Sequence, residues 1–133
     1  MKNRIAFICV LFLIVAIGCK KNLLSEERGP ITGEWAVQTI NGDDVSSNKM
    51  TLNYQVDGIL LAFDGCNQGT TPYETNPGNR IECGYPSFTY MYCNPYHIEF
   101  GEALKNSKKY EATLESLFLY NDQGNVVLRA TRK

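Results

Sequence analysis

The stretch FDGCNQGTTPYE, residues 63–74, sets a cysteine between a glycine and an asparagine where an apolar run ends. A cysteine so placed can serve as a nucleophile, a metal ligand or half of a disulfide. A metal reading would draw on Cys66, Cys83, Cys93 and His97, a Cys₃His set by count. Their spacings of 17, 10 and 4 residues contain no close cysteine pair of the kind that structural zinc sites use. A nucleophile would need a base, and His97 is the sole histidine. On a helix His97 and Glu99 are two residues apart and do not face each other, so His97 is expected at the surface or at a barrel mouth. No Gly-x-Ser-x-Gly elbow, phosphate loop or His-Glu-x-x-His motif occurs. The chain is therefore expected not to be an enzyme, and to need neither metal nor cofactor.

The aromatic residues suggest binding instead. Tyr85, Phe88, Tyr90, Tyr92 and Tyr96 fall within twelve residues. Alternate members would fill a core. Tyr85, Tyr90, Tyr92 and Tyr96 are also the candidates to line a mouth that contacts a small apolar ligand, as small barrels can. Trp35, Tyr54 and Tyr73 read as packing residues whose polar atoms need only a partner.

The N-terminus places the chain. Lys2 and Arg4 precede an apolar run from Ile5 to Ile17, followed by Gly18-Cys19 and two lysines. A basic head, a short apolar segment and a small residue before the cut describe an export signal. The run is shorter than the roughly 20 residues that a spanning helix requires. AIGC resembles the lipobox of bacterial lipoproteins, which implies a signal peptide over 1–18 and lipidation at Cys19. Lys20 after that cysteine implies the outer membrane, on its periplasmic side or its surface. Residues 19–29 read as a charged tether and 30–133 as one small domain. Loss of Lys2 and Arg4 leaves 11 basic side chains against 14 acidic ones, a net formal charge of −3. With no basic stripe, nucleic acid is not an expected partner.

Short alternating segments fill the domain. GEWAVQTI stops at Asn41-Gly42, a strong hairpin signal. In KMTLNYQV, Met50, Leu52, Tyr54 and Val56 are expected on one face, before an Asp57-Gly58 turn. ILLAFD is a further strand, and TTPYETNPGNRIEC a hairpin in which Pro72 suggests an edge or a bulge. NPYHIEFGEALKNSKK reads as one helix, with Asn94 as N-cap, Pro95 in the first position, and Tyr96, Phe100, Ala103 and Leu104 on its apolar face. Lys105, Lys108 and Lys109 would favour its C-terminal dipole. YEATL, SLFLYN and VVLRATRK follow. The expectation is an all-β, mainly antiparallel domain, a small barrel of about eight strands with one packed helix.

GEWAVQTINGDDV, LLAFDGCNQGTTPYE, FTYMYC, EALKNSKKYE and SLFLYNDQGNVVLRA occur in the order of the META domain, the family of the bacterial heat-shock protein HslJ, and the chain resembles it over nearly all of residues 31–131. Gly65-Cys66-Asn67 and the run Thr89, Met91, Cys93 carry the resemblance most specifically. It implies a lipocalin-like antiparallel barrel, often exported or lipid-anchored, with a stress-related role. Cys83 is extra to the core pattern, and His97 and Glu99 both lie near the place of a family glutamate. In an oxidising compartment one pair and one free thiol are expected, as Cys66–Cys93 or with Cys83 as the alternative partner of either. The expected role is a lipid-anchored, non-catalytic envelope module, membrane-bound through its lipid, with an unknown envelope protein as partner. The alternative is a lipocalin-like carrier of a small hydrophobic ligand, and in either role the chain is expected to be a monomer.

Overall fold

The computed structural model describes residues 27–89 and 91–133. The signal segment 1–18, Cys19, most of the tether and Tyr90 lie outside the described residues. The strands are β1 Gly33–Ile40, β2 Asp43–Asp44, β3 Thr51–Tyr54, β4 Ile59–Phe63, β5 Gln68–Asn76, β6 Arg80–Cys83, β7 Ser87–Phe88, β8 Lys109–Ala112, β9 Ser116–Tyr120 and β10 Val126–Arg132. The helix α1 spans His97–Asn106. Every pairing is antiparallel, and β1 pairs with both β3 and β10, so the sheet closes on itself. Two-residue β2 and β7 lie beside that circuit, which leaves, among the described residues, an eight-stranded barrel with one α-helix.

The turns form where their residue types demand. Asn41 and Gly42 have φ of 49° and 90°, the paired positive values that a two-residue hairpin needs to match strand twist. They join β1 to the short β2. Pro72 sits inside β5, opposite Ile59. Tyr73 N donates to Gly58 O at 2.9 Å, so the neighbouring Pro72 nitrogen points away from β4. It faces the interval where β5 passes from its partner β6, at Tyr73, to its partner β7, at Thr70. The missing donor falls where no ladder bond is required.

Period-two alternation fills the interior. Trp35, Leu52, Tyr54, Leu60, Ile81, Leu117, Leu119 and Leu128 are fully buried, and α1 adds Phe100 and Leu104. Each large apolar side chain so buried contributes roughly 2 kcal/mol of transfer free energy. Tyr54 and Tyr73 meet edge to face at 4.9 Å. Val56 departs from the expected apolar face. It is 93 % exposed, because β3 ends at Tyr54 and the chain is already turning toward Asp57.

The helix is shorter than the sequence pattern suggests. It begins at His97; Asn94 Oδ1 still accepts from Tyr96 N, the bond a capping side chain makes, but its amide is also tied to Asn48 and Asp64 and the intervening residues form a turn. It ends at Asn106, where Ser107 Oγ donates to Ala103 O. Lys109 belongs to β8, and Lys105 is the basic residue of the last turn.

Arg132 gathers the chain at the end of the barrel that receives the N-terminal segment. Its guanidinium lies 3.7 Å from the Trp35 ring and donates to Thr32 O at 2.7 Å and Pro30 O at 2.9 Å. Residues 27–29, the last of the expected tether, bond there to the β8–β9 turn through Gly29 N to Ala112 O and Leu114 N to Glu27 O. Arg132→Ala removes a cation–π contact and charge-assisted bonds together. It is expected to lower stability by about 2 kcal/mol in urea unfolding.

Candidate functional site

The corner between β4 and β5 is built around Asp64. Its carboxylate is fully buried, and its Oδ1 accepts from Cys66 N at 2.9 Å and Asn67 N at 2.5 Å. Oδ2 accepts from Asn67 Nδ2 at 3.1 Å and from His97 Nδ1. Burial alone would push this carboxyl up, but the donors from Asn67, His97 and Cys66 outweigh it and hold the group below its ordinary 3.8. Gly65 makes the turn possible. Its φ is 95°, and a Cβ there would strike the carbonyl oxygen of Asn48.

The same corner fixes two other segments. Asn67 Oδ1 accepts from Met91 N at 2.7 Å, and Asn67 Nδ2 donates to Met91 O at 2.7 Å. The side-chain amide thus imitates a strand partner for residue 91. Asn94, also buried, donates through Nδ2 to Asp64 O and accepts from Asn48 Nδ2 at 3.0 Å. Cys66 and Cys93 are joined as a disulfide with Cα atoms 6.2 Å apart, inside the usual range of roughly 4.4–6.8 Å. His97 then ties the first residue of α1 to the corner.

Cys83 stands elsewhere, on β6 opposite Tyr73. It is a free thiol, and burial pushes it up to about 12, with the Thr71 hydroxyl opposing only in part. A thiol so raised is a poor nucleophile and a poor metal ligand near neutral pH. Among the described residues no group of three or more His, Cys, Asp or Glu side chains could hold a metal.

The tyrosines divide. Tyr85 lies over the helix at Gly101, where an added Cβ would collide with its ring, and it meets Phe88 edge to face. Phe88 in turn contacts the His97 ring at 4.8 Å and the Phe100 ring at 6.1 Å. Tyr96 packs partly against the core. Tyr92 is 85 % exposed, beside Met91 at 61 %. The structure therefore brings Tyr85, Phe88, His97 and Phe100 into one packed group and leaves Tyr92 in solvent. Tyr90 lies outside the described residues.

Sequence reasoning missed Asp64. His97 finds its partner there, 33 residues away, and not at Glu99. An aspartate followed by Gly-Cys-Asn at a strand end was the available signal, since such a carboxylate readily accepts amides of its own turn.

The META domain family model matches residues 29–133, most of the chain. The chain belongs to the META domain family. No curated protein sequence matches it. A solved structure, a DUF4847 family protein from Bacteroides vulgatus, is similar at a TM-score of 0.59 with 13 % identity. The likeness covers 77 % of this chain and 93 % of that one, and at such identity it speaks for the fold alone. Gly65-Cys66-Asn67 and the run Thr89, Met91, Cys93 are thus the two sides of one clamp.

Proposed function

We propose that this META domain is a non-catalytic binding module of the cell envelope, lipid-anchored through Cys19 to the outer membrane, and that it contacts an envelope protein through the side chains its disulfide corner presents. The observation that carries this reading is a contrast between interior and rim. Trp35, Tyr54, Phe100 and the surrounding leucines occupy the barrel, while Met91, Tyr92 and Ile98 stand 61 %, 85 % and 64 % exposed. All three side chains project from backbone that the Asp64 corner holds, through Asn67 to Met91 and through His97 to the helix start. Exposed methionine and tyrosine on a rigid support are what protein interfaces select, because little side-chain and loop ordering remains to be lost on binding.

A filled interior supports a surface contact over carriage of a small apolar ligand, which would need a cavity of about 300 Å³ or more. The Asp64–His97 pair resembles an oriented base, yet the nearest cysteines in sequence are consumed in the disulfide and Cys83 is half-buried on another strand. Its role in this reading is to fix the helix.

Crosslinking in intact cells followed by affinity capture tests the proposal. Wild type is expected to retain an envelope protein that a Met91→Ser/Tyr92→Ser/Ile98→Ser variant, folded to the same melting temperature, loses. Equal capture by both proteins, or an apolar small molecule extracted from the wild type, would contradict it.

A further inference from the structure

The seam between β6 and β8 is the weakest closure of the barrel, and it carries an unfavourable charge arrangement. Arg80↔Lys109 is its one registered pair. Ile81 N donates to Lys108 O at 3.0 Å on one side, and Tyr110 N donates to Asn79 O at 2.9 Å on the other. The pair between those bonds is of the non-hydrogen-bonded kind, in which facing side chains approach most closely, with Cα atoms about 4.5 Å apart. Like charges directly opposite in that register destabilise a sheet.

No carboxylate forms an ion pair with either side chain. Among the described residues the ion pairs are His97–Asp64 and Lys133–Glu34, neither at this seam. Arg80 and Lys109 are both exposed, and with Lys108 they line an open groove of about 760 Å³ at the Asn121–Gly124 turn. Gln123 adds a carboxamide, while Glu82 and Asp122 also line the groove. The cations exceed the carboxylates there.

We propose that this seam is a binding site for a phosphate-type oxyanion, which bridges the Arg80 guanidinium and the Lys109 ammonium. A guanidinium fork matches two oxygens of such a group, and an ammonium supplies a point charge beside it. The anion turns a repulsive pair into two attractive ones, so its binding tightens the closure of the barrel. The site lies at the opposite end of β8 from the turn that receives residues 27–29, and is separate from the disulfide corner and its exposed side chains.

The same oxyanion chemistry occurs in soluble phosphates and in lipid headgroups, and two probes separate these sources. Thermal unfolding of the intact protein is followed in inorganic pyrophosphate and in sodium chloride of equal ionic strength. Co-sedimentation is measured with phosphatidylglycerol and with phosphatidylcholine vesicles. A site saturated about 100-fold over its Kd is expected to raise the melting temperature by several degrees. Lys109→Glu converts the repulsive pair to an attractive one. It is expected to melt higher than wild type without ligand and to lose the response to either probe, whereas Lys105→Gln, on the helix, keeps it. A response to pyrophosphate alone assigns a soluble phosphate, and preference for phosphatidylglycerol alone assigns a headgroup. A response that survives in Lys109→Glu, or wild-type behaviour that salt and phosphatidylcholine reproduce, overturns the proposal.

Discussion

Asp64→Ala is expected to lower the stability of the domain by about 3–5 kcal/mol, the range for removing one partner from a buried, hydrogen-bonded charge site. The substitution leaves the amides of Cys66 and Asn67, the Asn67 Nδ2 and the His97 Nδ1 without their acceptor. Most of these groups are shielded from water by the corner itself. Asp64→Asn retains one acceptor oxygen and is expected to cost less, which separates loss of charge from loss of the whole group. The pH dependence follows from the same contacts. The folded carboxyl titrates below its ordinary 3.8, so its stabilisation is fully present above that value and is lost as the pH falls through the lower, folded one. Wild type should therefore lose stability on acidification below about pH 4 more steeply than Asp64→Asn. Urea midpoints measured across that window give the comparison. Parallel curves would mean that the carboxylate carries no net favourable contact.

Cys66→Ser should cost nearly as much. The bridge joins positions 27 residues apart, and the loop-entropy estimate for that length is about 3.5 kcal/mol. For a domain of this size, a loss of that order corresponds to a fall of roughly 15 °C in melting temperature. The bonds from Asn67 to Met91 and from His97 to Asp64 do not involve sulfur, so the folded corner is expected to survive and the loss to appear mainly through a less constrained unfolded chain. Cys83→Ser is the control. Its thiol contacts the Gly84 carbonyl and the Thr71 hydroxyl and neither ion-pairs nor bridges, and it should change stability by less than about 1 kcal/mol. Reducing the wild type should reproduce the Cys66→Ser value. The two corner variants share partners, so Cys66→Ser combined with Asp64→Ala is expected to cost less than the sum of the single effects.

The sequence was most legible where local chemistry and long-range packing agree. Alternation around Trp35, Leu52 and Leu60, and positive-φ turns at Asn41-Gly42, have one structural solution each, and the eight-stranded barrel follows from them. The helix was readable as an apolar face, but its start was not. Asn94 has the residue type of a cap, yet tertiary contacts with Asn48 and Asp64 recruit its amide and move the first helical residue to His97. Val56 failed for the opposite reason: alternation continued in the letters after β3 had stopped. Of the candidate site, both cysteines of the bridge were visible as types with a suitable separation. Asp64 was legible only in part: its turn bonds to Cys66 and Asn67 are local, but its bond to His97 spans 33 residues and no local spacing encodes that contact. The like-charged seam was hidden for the same reason, since the register of Arg80 against Lys109 exists only once the barrel closes.

These features describe a barrel filled by its own side chains and stapled at one corner, with its exposed apolar groups held rather than loose. Cysteine connectivity tests that description most directly. The protein is alkylated without reduction, under denaturing conditions, then digested and mapped by mass spectrometry. One linked peptide pair containing Cys66 and Cys93 is expected, with Cys83 alkylated. A bridge from Cys83 to either of the other two, or all three sulfurs alkylated, would contradict it.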